Sequence, residues 1–159
     1  MFGSIGGDRV VAVVAALVAA MVVLGLGWRF ISPGESAGLL EPGDDAIVAQ
    51  GEALYADHCA SCHGTSLEGE ADWRSRKPDG MLPAPPHDES GHTWHHPDQM
   101  LFEITKYGVQ RFAGEDYRSD MPAYEGVLSD AEIIAVLSYI KSRWSSELQA
   151  RHDTLNQRP

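Results

Sequence analysis

Cysteine is almost missing from this 159-residue chain. Cys59 and Cys62 are the only two, too few and too close together to staple a disulfide scaffold. Basic residues are scarce as well, 12 Lys and Arg against 23 Asp and Glu, for a formal charge of −11. Such a chain is no partner for nucleic acid. No stretch alternates apolar and polar residues at any length, and no segment repeats, so neither a sheet nor a repeat array is expected. The length falls short of a two-domain enzyme. Apolar residues are not lacking, at 43%, which excludes disorder throughout. One small all-α domain with an appendage remains.

The appendage lies at the N-terminus. Val10 to Gly27 (VVAVVAALVAAMVVLGLG) is an apolar run of 18 residues without a charge. As a helix it would extend about 27 Å, close to the roughly 30 Å hydrocarbon thickness of a bilayer. Arg9 flanks it on one side, Trp28 and Arg29 on the other, as at a membrane boundary. The run exceeds the apolar core of a typical cleavable signal and no clean A-x-A site follows. Residues 1–31 are therefore expected to be an uncleaved transmembrane anchor. One arginine on each side leaves the orientation to be decided by the rest of the chain.

Residues 32–45 (SPGESAGLLEPGDD) hold two prolines, three glycines and four acids, the composition of a flexible linker with a relaxed span of about 20 Å. Setting aside Asp8, Arg9 and Arg29, the chain from Ser32 onward has 22 acids and 10 bases, a formal charge of −12. That acidity keeps a domain soluble and can steer it toward a basic docking face.

Three helices are predicted. Ile47 to His58 places Ile47, Val48, Leu54 and Tyr55 roughly on one side, with Gly51 a turn before Tyr55. Pro97 to Tyr107 has a proline for its first turn, a face of Met100, Leu101 and Ile104, and Gly108 as a stop. Ser129 to Trp144 opens with a Ser129/Glu132 capping box and continues with a stripe of Ile133, Val136, Leu137 and Ile140, with Trp144 below. The domain is placed at residues 46–145, and residues 146–159 are expected to be a polar tail that frays. Three or four helices over about 100 residues make a thin core, so something else is expected to fill the centre.

Cys59-Ala60-Ser61-Cys62-His63 supplies that filler. A C-x-x-C-H at the end of a short helix sets two sulfurs a turn apart with a histidine just beyond. Both thiols can then add across the vinyl groups of one haem while His63 binds its iron. A thioredoxin-like pair would want a βαβ setting, and a zinc site would want further cysteines or spaced histidines; neither is present.

With this motif the stretch Ala46 to Trp144 resembles the class I cytochromes c. Gly51-x-x-x-Tyr55 looks like that family's first helix, Val136-x-x-Tyr139 like its partner on the last, and Met121-Pro122-Ala123-Tyr124 like its distal loop. The resemblance implies a small helical fold around one covalent haem c, with thioethers to Cys59 and Cys62 and axial ligands His63 and Met121. Pro122 pushes Met121 toward extended backbone, and a soft neutral thioether favours ferrous iron. Met81 in its loop or a histidine is the alternative; Met100 is better explained as packing. With both axial positions filled the site passes one electron, and no enzymatic activity is expected. The family also implies that a proline carbonyl accepts the ring N–H of His63, for which Pro83 and Pro85 both qualify.

The segment from Gly64 to Asp98 is longer than a minimal cytochrome needs. Its Trp73, Arg74, Trp94 and His95 are expected along the haem or near its propionates. His87, His92, His95 and His96, four imidazoles within ten residues, suggest copper or zinc binding as a second possibility. The favoured reading is that they bond loop backbone and haem propionates, or face solvent.

These expectations combine into a membrane-anchored bacterial cytochrome with its haem domain in the periplasm, where the family receives its haem. By analogy it would carry electrons from a quinol-oxidising cytochrome bc complex to a terminal oxidase or photosynthetic reaction centre. The rival readings are the haem-bearing subunit of a periplasmic dehydrogenase, a copper-responsive module, and a haem sensor or peroxidase with an open distal site.

Overall fold

The structure, a computed structural model, describes residues 38–114 and 116–157. The expected anchor and the first part of the linker lie outside these residues. Among the described residues there are only helices, turns and loops, and no helix is long and apolar enough to cross a membrane.

Helix α1 (Asp45–His58) begins where the Asp44 carboxylate accepts the backbone N–H groups of Ala46 and Ile47, donors that a helix start otherwise leaves unpaired. A one-turn helix α2 (Ala60–His63) follows directly and stops at Gly64, whose φ of +83° suits glycine. A long loop with one 3-10 turn at Thr93–His95 leads to α3 (Asp98–Tyr107) and the short α4 (Gln110–Ala113). Helix α5 (Asp130–Ser142) carries the expected capping box, with the Ser129 and Glu132 side chains bonding each other's backbone N–H.

The core forms where α1 crosses α5. A Cβ on Gly51 would run into the Ala135 carbonyl and sit 2.9 Å from the Tyr139 Cβ, so only glycine permits the approach. One turn along, the Tyr55 and Tyr139 rings pack at 5.5 Å. Ile133, Val136, Leu137, Ile140 and Trp144 are all buried, as the stripe predicts. On α3, Leu101 is buried with Thr105 rather than with Ile104 and Met100, which are half-buried. Thr105 can be inside because its hydroxyl donates to the Leu101 carbonyl.

Two segments differ from the sequence expectation. The last part of the predicted flexible linker is packed. Leu40 is buried, its N–H donating to the Asp98 carboxylate, and the Glu41 N–H donates to the Ser138 hydroxyl. The predicted fraying tail is largely helix α6 (Ser146–Asn156), capped by Ser145. It docks through polar groups: His152, fully buried, bonds the His96 carbonyl through Nε2, and the Asn156 side-chain oxygen accepts the Asp98 N–H. Lys141 of α5, 2% exposed, pairs with Asp153 and lies 4.0 Å from Asp98. A helix held by charge and hydrogen bonds has no apolar periodicity to betray it.

Candidate functional site

Cys59 joins α1 to α2, and Cys62 and His63 lie in the single turn of α2. The thiols are not joined to each other; Cys59 is half-buried and Cys62 exposed. Burial pushes the Cys59 thiol up to about 11, so it holds its proton rather than standing as a reactive thiolate. The turn is braced at both ends. The Tyr55 hydroxyl donates to the Gly64 carbonyl at 3.0 Å, and the Tyr124 hydroxyl donates to the His58 carbonyl at 2.7 Å.

His63 is buried, and its Nδ1 lies 2.8 Å from the Pro85 carbonyl. A carbonyl only accepts, so Nδ1 carries a proton, and in the neutral ring Nε2 then keeps its lone pair. The choice left open between Pro83 and Pro85 is thereby made for Pro85. Burial lowers the pKa of His63 against the opposing pull of the Pro85 bond and Glu70, which favours the neutral ring that a metal needs. Two thiols on one turn followed by a neutral imidazole with a free Nε2 suit a covalently held haem.

Met121 is half-buried, and its N–H donates to the Ser119 hydroxyl. Its loop is tied down on two sides. The Tyr124 and Glu125 N–H groups donate to the Thr105 and Lys106 carbonyls at the end of α3, and the Tyr124 hydroxyl reaches the residue before Cys59. Burial raises Tyr124 to about 12, so it stays a donor. The structure thus links the Met121 loop to the cysteine turn through Tyr124. Sequence reasoning quoted this tyrosine within its loop motif without assigning that role.

The four insert histidines do not converge. His87 stacks on His63 with ring centroids 4.0 Å apart, and its Nδ1 lies 2.8 Å from the Thr93 hydroxyl. Burial and the neighbouring rings of His63 and His92 hold its pKa well below the ordinary imidazole range. His92 stacks on Trp73, and His95 on Trp94 at 3.6 Å. His96 meets His92 edge-on. Among the described residues no group of three or more His, Cys, Asp or Glu side chains could hold a metal ion. Arg74 covers Trp73 and Arg151 of α6 covers Trp94.

A family model described as cytochrome c matches residues 48–144. Among curated proteins, a cbb3-type cytochrome c oxidase subunit FixP of Bradyrhizobium sp. (strain ORS 278) is 28% identical over 96 residues, covering 59% of this chain and 29% of its own. A protein of the same description from Azorhizobium caulinodans is 26% identical over 94 residues, covering 59% and 28%. The chain thus spans less than a third of the length of the curated relatives it matches. No solved structure matches it.

Proposed function

The chain belongs to the cytochrome c family, whose members hold haem c covalently and work in electron transfer, and from that membership we propose a membrane-anchored, periplasmic carrier of single electrons. Cys59 and Cys62 would form the thioethers that hold the haem, and His63 and Met121 would bind its iron. Bound there, haem supplies a one-electron couple. The protein's part is to hold His63 in one tautomer through Pro85, to present the thioether of Met121, and to leave no position open for a substrate. Residues 10–27 anchor the chain, with the N-terminus in the cytoplasm. Electrons come from a quinol-oxidising complex such as cytochrome bc and leave to a haem–copper oxidase. The relatives, described as oxidase subunits, favour an oxidase over a reaction centre. They also support a second reading, in which the chain is a resident subunit of such an oxidase rather than a shuttle.

The observation that carries the proposal is the Pro85 bond, which places the ring proton of neutral His63 on Nδ1 and so leaves Nε2 a lone pair beside the two cysteines of the C-x-x-C-H motif. The test is expression in a host that attaches haem to cysteines. The expected product has the polypeptide mass plus one haem, keeps its haem when denatured, and loses covalent attachment in the Cys59→Ala, Cys62→Ala double variant. Met121→Leu should keep the haem but lose the sulfur–iron ferric band and lower the midpoint potential, because the thioether favours the ferrous state. An unmodified polypeptide would end the proposal. Pulldown from solubilised native membranes separates the two readings: a resident subunit stays with the oxidase and a shuttle comes away alone.

A further inference from the structure

The histidine-rich insert leaves one member with no task in the reading above, and it is the one packed against the proposed ligand. His87 lies ring on ring with His63, at 4.0 Å and 23° between planes, close enough that neither imidazole turns without displacing the other. It is clamped as few loop residues are. Its N–H donates to the Leu67 carbonyl and its carbonyl accepts the indole N–H of Trp144 at 2.8 Å. Its Nδ1 meets the Thr93 hydroxyl, which is itself 3.5 Å from the Pro86 carbonyl. A hydroxyl can both give and take a hydrogen bond, so the 2.8 Å contact ties the His87 ring to Thr93 in either ring tautomer. Thr93 is buried and sits on the 3-10 turn, so the lock is part of the scaffold. Tyr55 also meets the His87 ring, edge-on at 6.3 Å.

The Pro85 bond alone does not fix the proximal ring. It sets the tautomer and the direction of Nδ1–H, yet a single hydrogen bond leaves the imidazole free to rock about the N–H···O line. A flat surface against one face removes that freedom. We propose that His87 is a positioning residue for His63, setting the rotation of the ligand ring about its bond to the metal through the stacked face and the Thr93 lock. The idea rests on His63 being the proximal ligand. It touches the ligand ring, so its role is orientation and not catalysis.

The experiment uses the full haem-loaded chain in detergent and reads the ring orientation directly, from the paramagnetically shifted haem-methyl proton resonances and the g-values of the ferric protein, alongside the midpoint potential. His87→Ala should change the order or spread of the methyl resonances and the largest g-value, and shift the potential. His87→Phe, which keeps a flat face and loses the hydrogen bond, should restore most of the wild-type pattern. Thr93→Val, which frees the His87 ring with its stack in place, should give a smaller change in the direction of His87→Ala. A role in stability alone would lower the unfolding midpoint and leave all three spectra superimposable on wild type, and that result overturns the proposal. Should His87→Ala not accumulate, Thr93→Val decides: a wild-type methyl pattern there counts against the lock. If wild type itself lacks a low-spin His-ligated signal, the proximal assignment fails first, and that failure is visible before any variant is made.

Discussion

The crossing of α1 on α5 and the seam where α6 meets α3 and α5 are both buried, yet they are built by opposite means. At the crossing the fit is one of shape, with Gly51 opening a gap that the Ala135 backbone enters and Tyr55 and Tyr139 closing it. At the seam there is little apolar surface to gain. Lys141, Asp98 and His152 are each at most 2% exposed and face one another, with Asp153 and Asn156 completing the set. Apolar packing tolerates imperfect geometry and loses energy gradually, whereas a buried charge is favourable only while its partner is present.

The difference is largest when the seam loses its cation. Lys141→Met should cost about 3–5 kcal/mol, because Asp98 is left buried without its ammonium partner. Adding Asp98→Asn should recover part of the loss, the two changes being non-additive. Denaturant midpoints of the haem-loaded single and double variants measure both. A Lys141→Met protein as stable as wild type would show the seam to be wet and weak.

That contrast also explains what could be read from the sequence. The crossing was legible because both helices advertise it, Gly51 and Tyr55 one turn apart on α1 and the Ile133–Ile140 stripe on α5. The C-x-x-C-H turn was legible because its spacing is itself the chemistry. The seam was not. Residues 146–156 carry His152 and Asn156 a turn apart, a pattern that in sequence reads as solvated, and nothing local says that Asp98, 58 residues before Asn156, donates to it and accepts from Leu40. The same holds for the choice of Pro85 over Pro83 and for the stack of His87 on His63. Each depends on how a long loop folds back, which no periodicity encodes.

The crossing should yield less to substitution than the seam, and in the opposite sense to helix propensity. In an isolated helix Gly→Ala gains about 1 kcal/mol. At position 51 the new Cβ meets backbone, the Ala135 carbonyl, which cannot turn aside as a side chain would. Gly51→Ala should therefore destabilise by about 1–3 kcal/mol, the usual cost of overpacking, as a lowered thermal midpoint. An unchanged or higher midpoint would mean that the two helices part at no cost and that shape does not define the crossing.

The smallest effect expected is at the surface of the insert, where charge and backbone meet without burial. Glu70 accepts the Ala84 N–H at 2.6 Å and pairs with Lys77 at 3.4 Å, closing the loop between them. The Ala84 bond, and secondarily Lys77, hold its carboxyl below the ordinary value of 4.5. A carboxylate with a depressed folded pKa adds stability that is fully present above its unfolded pKa and is lost as pH falls through the lower folded value. Glu70→Gln keeps an oxygen for the Ala84 N–H and removes the charge, so wild type should be the more stable at neutral pH by a small margin, water screening an exposed group. The margin should close as the pH is lowered past 4.5 toward the folded value, in paired urea titrations across that range. A margin that stays constant with pH would assign the loop closure to the backbone hydrogen bond alone. Charge would then matter in this domain only where it is buried, at the seam.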